Sequence, residues 1–169
     1  MTATDAPVAA AWRRRLAWGA TASGIAVADL AIKGWAVTAL KGSAIEAGPV
    51  DLRLAFNPGA AFSIAANAPD WVLLSVTMVI TVAVAVAGYR VAPHASLLTR
   101  VALAALLGGA AANVIDRIPD GVVTDYLHTG WWPTFNLADS FIVLGAITLV
   151  IASLFTDTAD SSSHEAGRG

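Results

Sequence analysis

An all-α membrane fold is the class this sequence predicts: four transmembrane helices with a small extracytoplasmic β-sheet and a loop lid. Three observations carry the prediction. Of 169 residues, 57% are hydrophobic and only 13% charged, about half the charge a soluble domain uses to cover its surface. The apolar residues fall in four blocks, each near the ~20 residues that a hydrocarbon core demands. Lysine and arginine crowd toward one face of the resulting layout. The formal net charge is −2 without a basic cluster, which excludes nucleic acid as a partner. No cysteine is present, which removes disulfides, thiol nucleophiles, Cys-based metal sites and palmitoylation.

The elements follow in order. Residues 1–15 read as a polar cytoplasmic tail ending in Arg13, Arg14 and Arg15. The first span, residues 16–40, carries Asp29 and Lys33. It is too long and too charged for a signal-peptide core of about 7–15 residues. Residues 51–56 alternate polar and apolar with the period of a strand, and Asn57-Pro58-Gly59 reads as a turn. The second span, residues 71–89, has no charge, and Arg90 and Arg100 bracket the short connection to the third, residues 97–115. Residues 122–127 form a second β-prone run, and the fourth span, residues 135–155, holds Asp139 near its start. Residues 156–169 read as a disordered cytoplasmic tail, leaving 16–155 as the folded domain. The arginine distribution puts both termini in the cytoplasm, with Lys41, Arg53 and Arg117 spread over longer outer loops. Trp35, Trp71, Trp131 and Trp132 then form an outer aromatic belt, and Trp12, Trp18 and Tyr89 an inner one.

Ionisable groups at membrane depth are costly, so each is a functional candidate. Asp29 and Lys33, four apart on one helix, can neutralise each other. Asp116 abuts Arg117 after the small-residue run 108–112, which permits close helix approach. Asn113, Asp116 and Arg117 read first as bracing, with Asn113 or Arg117 also able to face a substrate. Asp125 and Asp139 differ, because no Lys or Arg lies within five residues of either, and both belong near the outer interface. Two carboxylates sharing a site hold a proton between them. Aspartic proteolysis needs that state: one carboxylate activates a water while its protonated partner donates to the carbonyl or leaving amine. Asn136, three before Asp139, is also close to a capping box. On the residues alone, capping, a catalytic dyad and proton-coupled transport all stand open. His94, His128 and His164 are isolated, Ser63 has nothing to position it against Lys33, and no metal-ligand spacing occurs. No metal or cofactor is expected.

Five segments occur in order over roughly residues 20–150: Asp29-Leu30-Ala31-Ile32-Lys33, Asn57-Pro58-Gly59-Ala60-Ala61-Phe62, Gly108 to Arg117, Val123-Thr124-Asp125-Tyr126, and Phe135-Asn136-Leu137-Ala138-Asp139-Ser140. Together they resemble the D-x-x-x-K, N-x-G-x-x-F, G-G-A-x-G-N-x-x-D-R, V-x-D-[FY] and F-N-x-A-D-S motifs of the bacterial lipoprotein signal peptidases (signal peptidase II). Ala112 departs where that family usually has Gly, and Leu30 where Gln is common. The resemblance implies an inner-membrane aspartic endopeptidase that cuts prolipoproteins just before a diacylglyceryl-modified cysteine. It assigns Asp125 and Asp139 as catalytic, and Asn57, Gly59, Asn113, Arg117 and Asn136 as lining the site or binding substrate. Asp29, Lys33 and Asp116 would brace it. Lipidated prolipoproteins and membrane lipid are the implied partners, the outer loops are natural lids with Phe62 or Trp131 as clamps, and a monomer is expected. Two other classes predict differently: a small proton-coupled transporter would hold Asp29 or Asp139 near mid-bilayer, and a four-span assembly factor would use its polar residues only for packing.

Overall fold

Runs of Ala, Leu, Val and Ile without proline beyond a first turn satisfy their backbone donors within one helix, as hydrocarbon requires. The structure is a computed structural model and describes residues 5–59 and 69–166. Its elements are α1 (Asp5–Ala39), β1 (Ala44–Ile45), β2 (Asp51–Asn57), α2 (Asp70–Val91), α3 (Leu97–Arg117), β3 (Val123–His128) and α4 (Leu137–Ala166). Among the described residues, three helices are long and apolar enough to cross a membrane, over Trp71–Val91, Leu97–Arg117 and Leu137–Phe155. Helix α1, interrupted by Asp29 and Lys33, is not one of them on that measure. Helix also continues back to Asp5 and on to Ala166, through segments expected to be tails. The outward faces are apolar: Val79, Val82, Leu144 and Val150 are each more than half exposed. Lipid is the solvent that matches such a surface.

Helix α3 is central and packs against α1, α2 and α4. Its small residues permit this. Gly109 lies so close to α4 that an added Cβ would sit 2.5 Å from the Ala138 carbonyl oxygen and 2.9 Å from Ile142 Cγ1. Ala138 immediately precedes Asp139, so any relief of that clash moves the start of α4. Gly109→Ala is therefore expected to cost about 1–3 kcal/mol, the usual range for overpacking. It should also lower turnover by misplacing Asp139. Thermal unfolding and a cleavage assay on the same preparation check both.

The sheet has the order β1-β2-β3, antiparallel throughout. Its register carries a consequence for the site. Leu52 pairs with Leu127, yet Ala55 pairs with Asp125, so β2 holds one extra residue between these pairs. A bulge of this kind exchanges the faces of every residue beyond it. Asn57 pairs with Val123 and so falls on the same face as Asp125, as a diagonal neighbour. Without the extra residue it would fall on the opposite face. The chain returning from β3 to α4 is held by a bridge between Leu127 and Phe135, which fixes the entry point of α4 relative to Asp125.

Candidate active site

A helix begins with backbone N–H groups that have no partner inside it. At α4 each of the first three finds a different one. Leu137 N donates to the Tyr126 hydroxyl oxygen at 3.1 Å. Ala138 N donates to Asp29 Oδ1 at 3.0 Å, and Asp139 N to Asn136 Oδ1 at 2.9 Å. The start of α4, and with it Asp139, is thus pinned by β3, by α1 and by its own cap. Asn136 N donates back to Asp139 Oδ2 at 3.2 Å, completing the capping box expected from the spacing. Capping leaves the second oxygen of Asp139 available to other partners.

The two carboxylates face a common set of amides. Asp125 Oδ1 accepts from Asn136 Nδ2 at 2.7 Å and Oδ2 from Asn57 Nδ2 at 3.1 Å. Asp139 Oδ1 accepts from Asn113 Nδ2 at 2.8 Å. Each of the four carboxylate oxygens therefore receives one N–H, which leaves each a second lone pair for water or a proton. The amides cannot turn round. Asn57 Oδ1 is held by Gly59 N at 2.8 Å, Asn136 Oδ1 by Asp139 N, and Asn113 Oδ1 by Lys33 Nζ at 2.6 Å. With every amide oxygen occupied, every NH2 is directed at an aspartate. This network is what assigns the amide orientations. Gly59 holds its place in this chain through a φ of +92°, and any side chain there would collide with Leu73.

Behind the amides lies a buried charge cluster. Lys33 is 2% exposed and reaches Asp29 Oδ2 at 2.9 Å and Asp116 Oδ2 at 3.2 Å, besides Asn113. The ammonium thus donates to Asn113 and lies within ion-pair distance of two carboxylates. Asp116 adjoins Arg117 in the sequence. Here it takes Lys33 and the Thr124 N–H, at 2.7 Å, so it ties β3 to α3. Arg117 is buried and donates to the Asn57 carbonyl at 3.5 Å. Ala112, where Gly was usual, is fully buried against Ala26 and Ala138, so its methyl fills a helix interface and not the cavity.

Asp125 and Asp139 share a cavity of about 490 Å³ with Asn57, Phe56, Trp132 and Phe135. Asp139 also borders two smaller spaces. One, of about 360 Å³, is apolar and walled by Trp131, Trp132, Phe135 and Val143. The other, of about 200 Å³, includes Gly59, Leu73, Asn113 and Arg117. Burial, reinforced by the nearby Asp139 charge and partly offset by the Asn136 and Asn57 hydrogen bonds, pushes Asp125 up to about 6. Burial also raises the Tyr126 phenol, so the hydroxyl stays protonated and donates to Asp29 Oδ1 at 3.4 Å.

Every site residue named from the sequence falls in this region except Phe62 and Ser63, which lie outside the described residues. Trp131 borders the apolar space but is 80% exposed. Two contributors were not singled out. Tyr126 and Thr124 flank Asp125 on β3, and only their alternation around it hinted that they would face α1 and α3. His128 meets Thr134, as a surface histidine would. Among the described residues, no group of three His, Cys, Asp or Glu side chains is arranged to hold a metal.

A profile described as Signal peptidase (SPase) II matches residues 21–155. A lipoprotein signal peptidase of Moorella thermoacetica is 46% identical over 93 residues, covering 55% of this chain and 61% of that one. One from Ectopseudomonas mendocina is 40% identical over 129 residues, covering 72% and 74%. The match thus spans about three fifths to three quarters of these relatives' length. Among solved structures, a bacterial membrane enzyme determined by the in meso method at 1.9 Å is similar with a TM-score of 0.68 and 29% identity, over 79% of this chain and 90% of that one.

Proposed function

The chain belongs to the signal peptidase II family, and from that premise we propose that it is an aspartic endopeptidase with Asp125 and Asp139 as its dyad. The single observation carrying the reading is that both carboxylates border one cavity while the same Asn136 hydrogen-bonds to each. The substrate is a prolipoprotein already lipidated on a cysteine, cut on the N-terminal side of that residue. Asp125, raised by burial, is the proton holder, and Asp139 is the base that activates water for attack on the scissile carbonyl. As the tetrahedral intermediate collapses, the proton passes to the leaving amine. Asn57, Asn113 and Asn136 hold the carboxylates, and Gly59 and Arg117 border the peptide path. Asp29, Lys33 and Asp116 keep the frame in place. The apolar space beside Asp139 suits the lipidated end, whose confinement supplies part of the catalysis by positioning.

The membrane arrangement in this reading has α1 as the fourth span. Its 35 residues reach about 50 Å at 1.5 Å each, Asp29 and Lys33 turn inward, and Val27 and Leu16 face out. Both termini are cytoplasmic, residues 16–155 form the working domain, and the dyad sits near the outer leaflet of the bacterial inner membrane. A reporter fused after Phe155 is expected to be cytoplasmic; an external signal reverses the orientation.

The functional test is cleavage of a lipidated precursor by the purified chain, compared with the same precursor lacking lipid. In the same assay, kcat/KM is expected to fall as pH rises through about 6, where Asp125 gives up the proton. A second, acid limb is expected of a carboxylate pair that must share a single proton to act. A profile flat on both sides, with chemistry rate-limiting, removes the shared proton from the mechanism.

A further inference from the structure

At the end of the bundle opposite the sheet, the residues do something the peptidase reading does not use. Arg14, Trp18, Thr21, Leu97, Arg100 and Val101 enclose a cavity of about 60 Å³ between α1 and the first turn of α3. Trp18 was expected in an exposed belt beside Trp12 and Tyr89. Those two are exposed, but Trp18 is only 8% so, with its ring against Gly88 of α2. Its indole Nε1 is buried without a hydrogen-bond partner, and so is Arg100 Nε. A buried donor left unpaired is expensive and calls for an acceptor.

No carboxylate among the described side chains meets either donor. Among the described side chains every carboxylate, from Asp29 to Asp139, belongs to the sheet-bearing end. The salt bridges formed among them are likewise all at that end. Arg14 Nη1 donates to the Pro93 carbonyl at 2.7 Å, which fixes the guanidinium beside the cavity without neutralising it. The α3 N-terminus, capped by Ser96, adds the positive end of its dipole. Two guanidinium groups, one with its Nε unpaired, the unpaired Trp18 indole N–H and a helix N-terminus thus surround a space well above the roughly 10–15 Å³ that one water needs.

We propose that this is a binding site for the phosphate of an anionic phospholipid. The neighbouring wall favours a lipid over a free ion, since Leu97 and Leu98 are more than half exposed and Val101 nearly half, giving acyl chains an apolar surface directly beside the charged pocket. Basic pockets between helix ends are a general mode of headgroup recognition. The site rests on the membrane reading above and is independent of the peptidase reading.

The test uses the full chain in neutral detergent, titrated with phosphatidylglycerol, with phosphatidylcholine of the same acyl chains, or with inorganic phosphate. Native mass spectrometry and the melting temperature are the readouts. Phosphatidylglycerol is expected to bind about tenfold more tightly than phosphatidylcholine, close to 1.4 kcal/mol. Arg100→Gln should erase that preference, and Trp18→Phe, which removes the N–H together with part of the ring, should weaken it several-fold. Equal binding of the two lipids, or a preference indifferent to both variants, overturns the site. Protection by inorganic phosphate matching that by phosphatidylglycerol overturns the lipid assignment. Precursor cleavage measured in parallel is expected to persist in both variants, so a failed lipid result and a failed peptidase result stay distinguishable.

Discussion

Asp125→Asn and Asp139→Asn are each expected to lower turnover of a lipidated precursor by about 10²–10⁴-fold, the range for losing a positioned acid or base. That corresponds to roughly 3–5 kcal/mol of transition-state stabilisation. The double variant should be little worse than either single one, because groups that act as a unit are not additive. Neither change is isosteric in its hydrogen bonding. Asn57 and Asn136 both present NH2 groups to Asp125, and their own oxygens are held by Gly59 N and Asp139 N. One N–H of an Asn at position 125 must then face another N–H, a penalty of about 1–3 kcal/mol. A second effect opposes it. The folded-state pKa of Asp125, about 6, lies above the ordinary 3.8. Its contribution to stability is therefore fully present below 3.8 and lost as pH rises through 6. The variant removes that titration, so it should compare least favourably with wild type in acid and best above pH 6. Melting curves across this window, beside the kinetics, separate a chemical defect from a folding one. Normal turnover by either folded variant ends the assignment of that aspartate.

The strand periods, three of the long apolar helices and the five motif segments were legible because each depends on near neighbours in the chain. Asp125 and Asp139 stood out as acids without a local base, and they do meet in one cavity. Their meeting was not legible, since it depends on the bulge in β2 and the Leu127–Phe135 bridge, both set by pairing between distant segments. Capping and the dyad looked like competing accounts of Asp139. The two are compatible because a carboxylate has two oxygens, one for Asn136 N and one for Asn113. The ion partner of Asp116 was not legible either, because the adjacent Arg117 points about 100° away around the helix. Lys33, eighty-three residues away, reaches Asp116 across the α1–α3 interface instead.

Lys33→Met should be the most destabilising single change in the frame, at about 3–5 kcal/mol, the cost of removing one partner from a buried ion pair. Methionine nearly preserves the volume, so the effect isolates the ammonium. Its loss leaves Asp29, which is fully buried, and Asp116 without their shared cation. Asp29 also receives Ala138 N, so a protonated or displaced Asp29 loosens the second residue of α4. Asn113 loses the donor that orients its amide, and its NH2 is then free to leave Asp139 Oδ1. Stability and activity should therefore fall together, which a purely packing role would not produce. Lys33→Arg is not expected to rescue either, because a larger planar guanidinium fork does not replace a compact ammonium held between Asp29, Asp116 and Asn113. Adding Asp29→Asn to Lys33→Met should recover part of the stability, since it removes one uncompensated charge, yet leave turnover low while Asn113 stays unanchored. Denaturation midpoints in detergent and cleavage rates on the four proteins distinguish these arms. If Lys33→Met melts with wild type and cleaves normally, the carboxylates of α1 and α3 do not depend on this lysine, and the orientation argued for Asn113 falls with it.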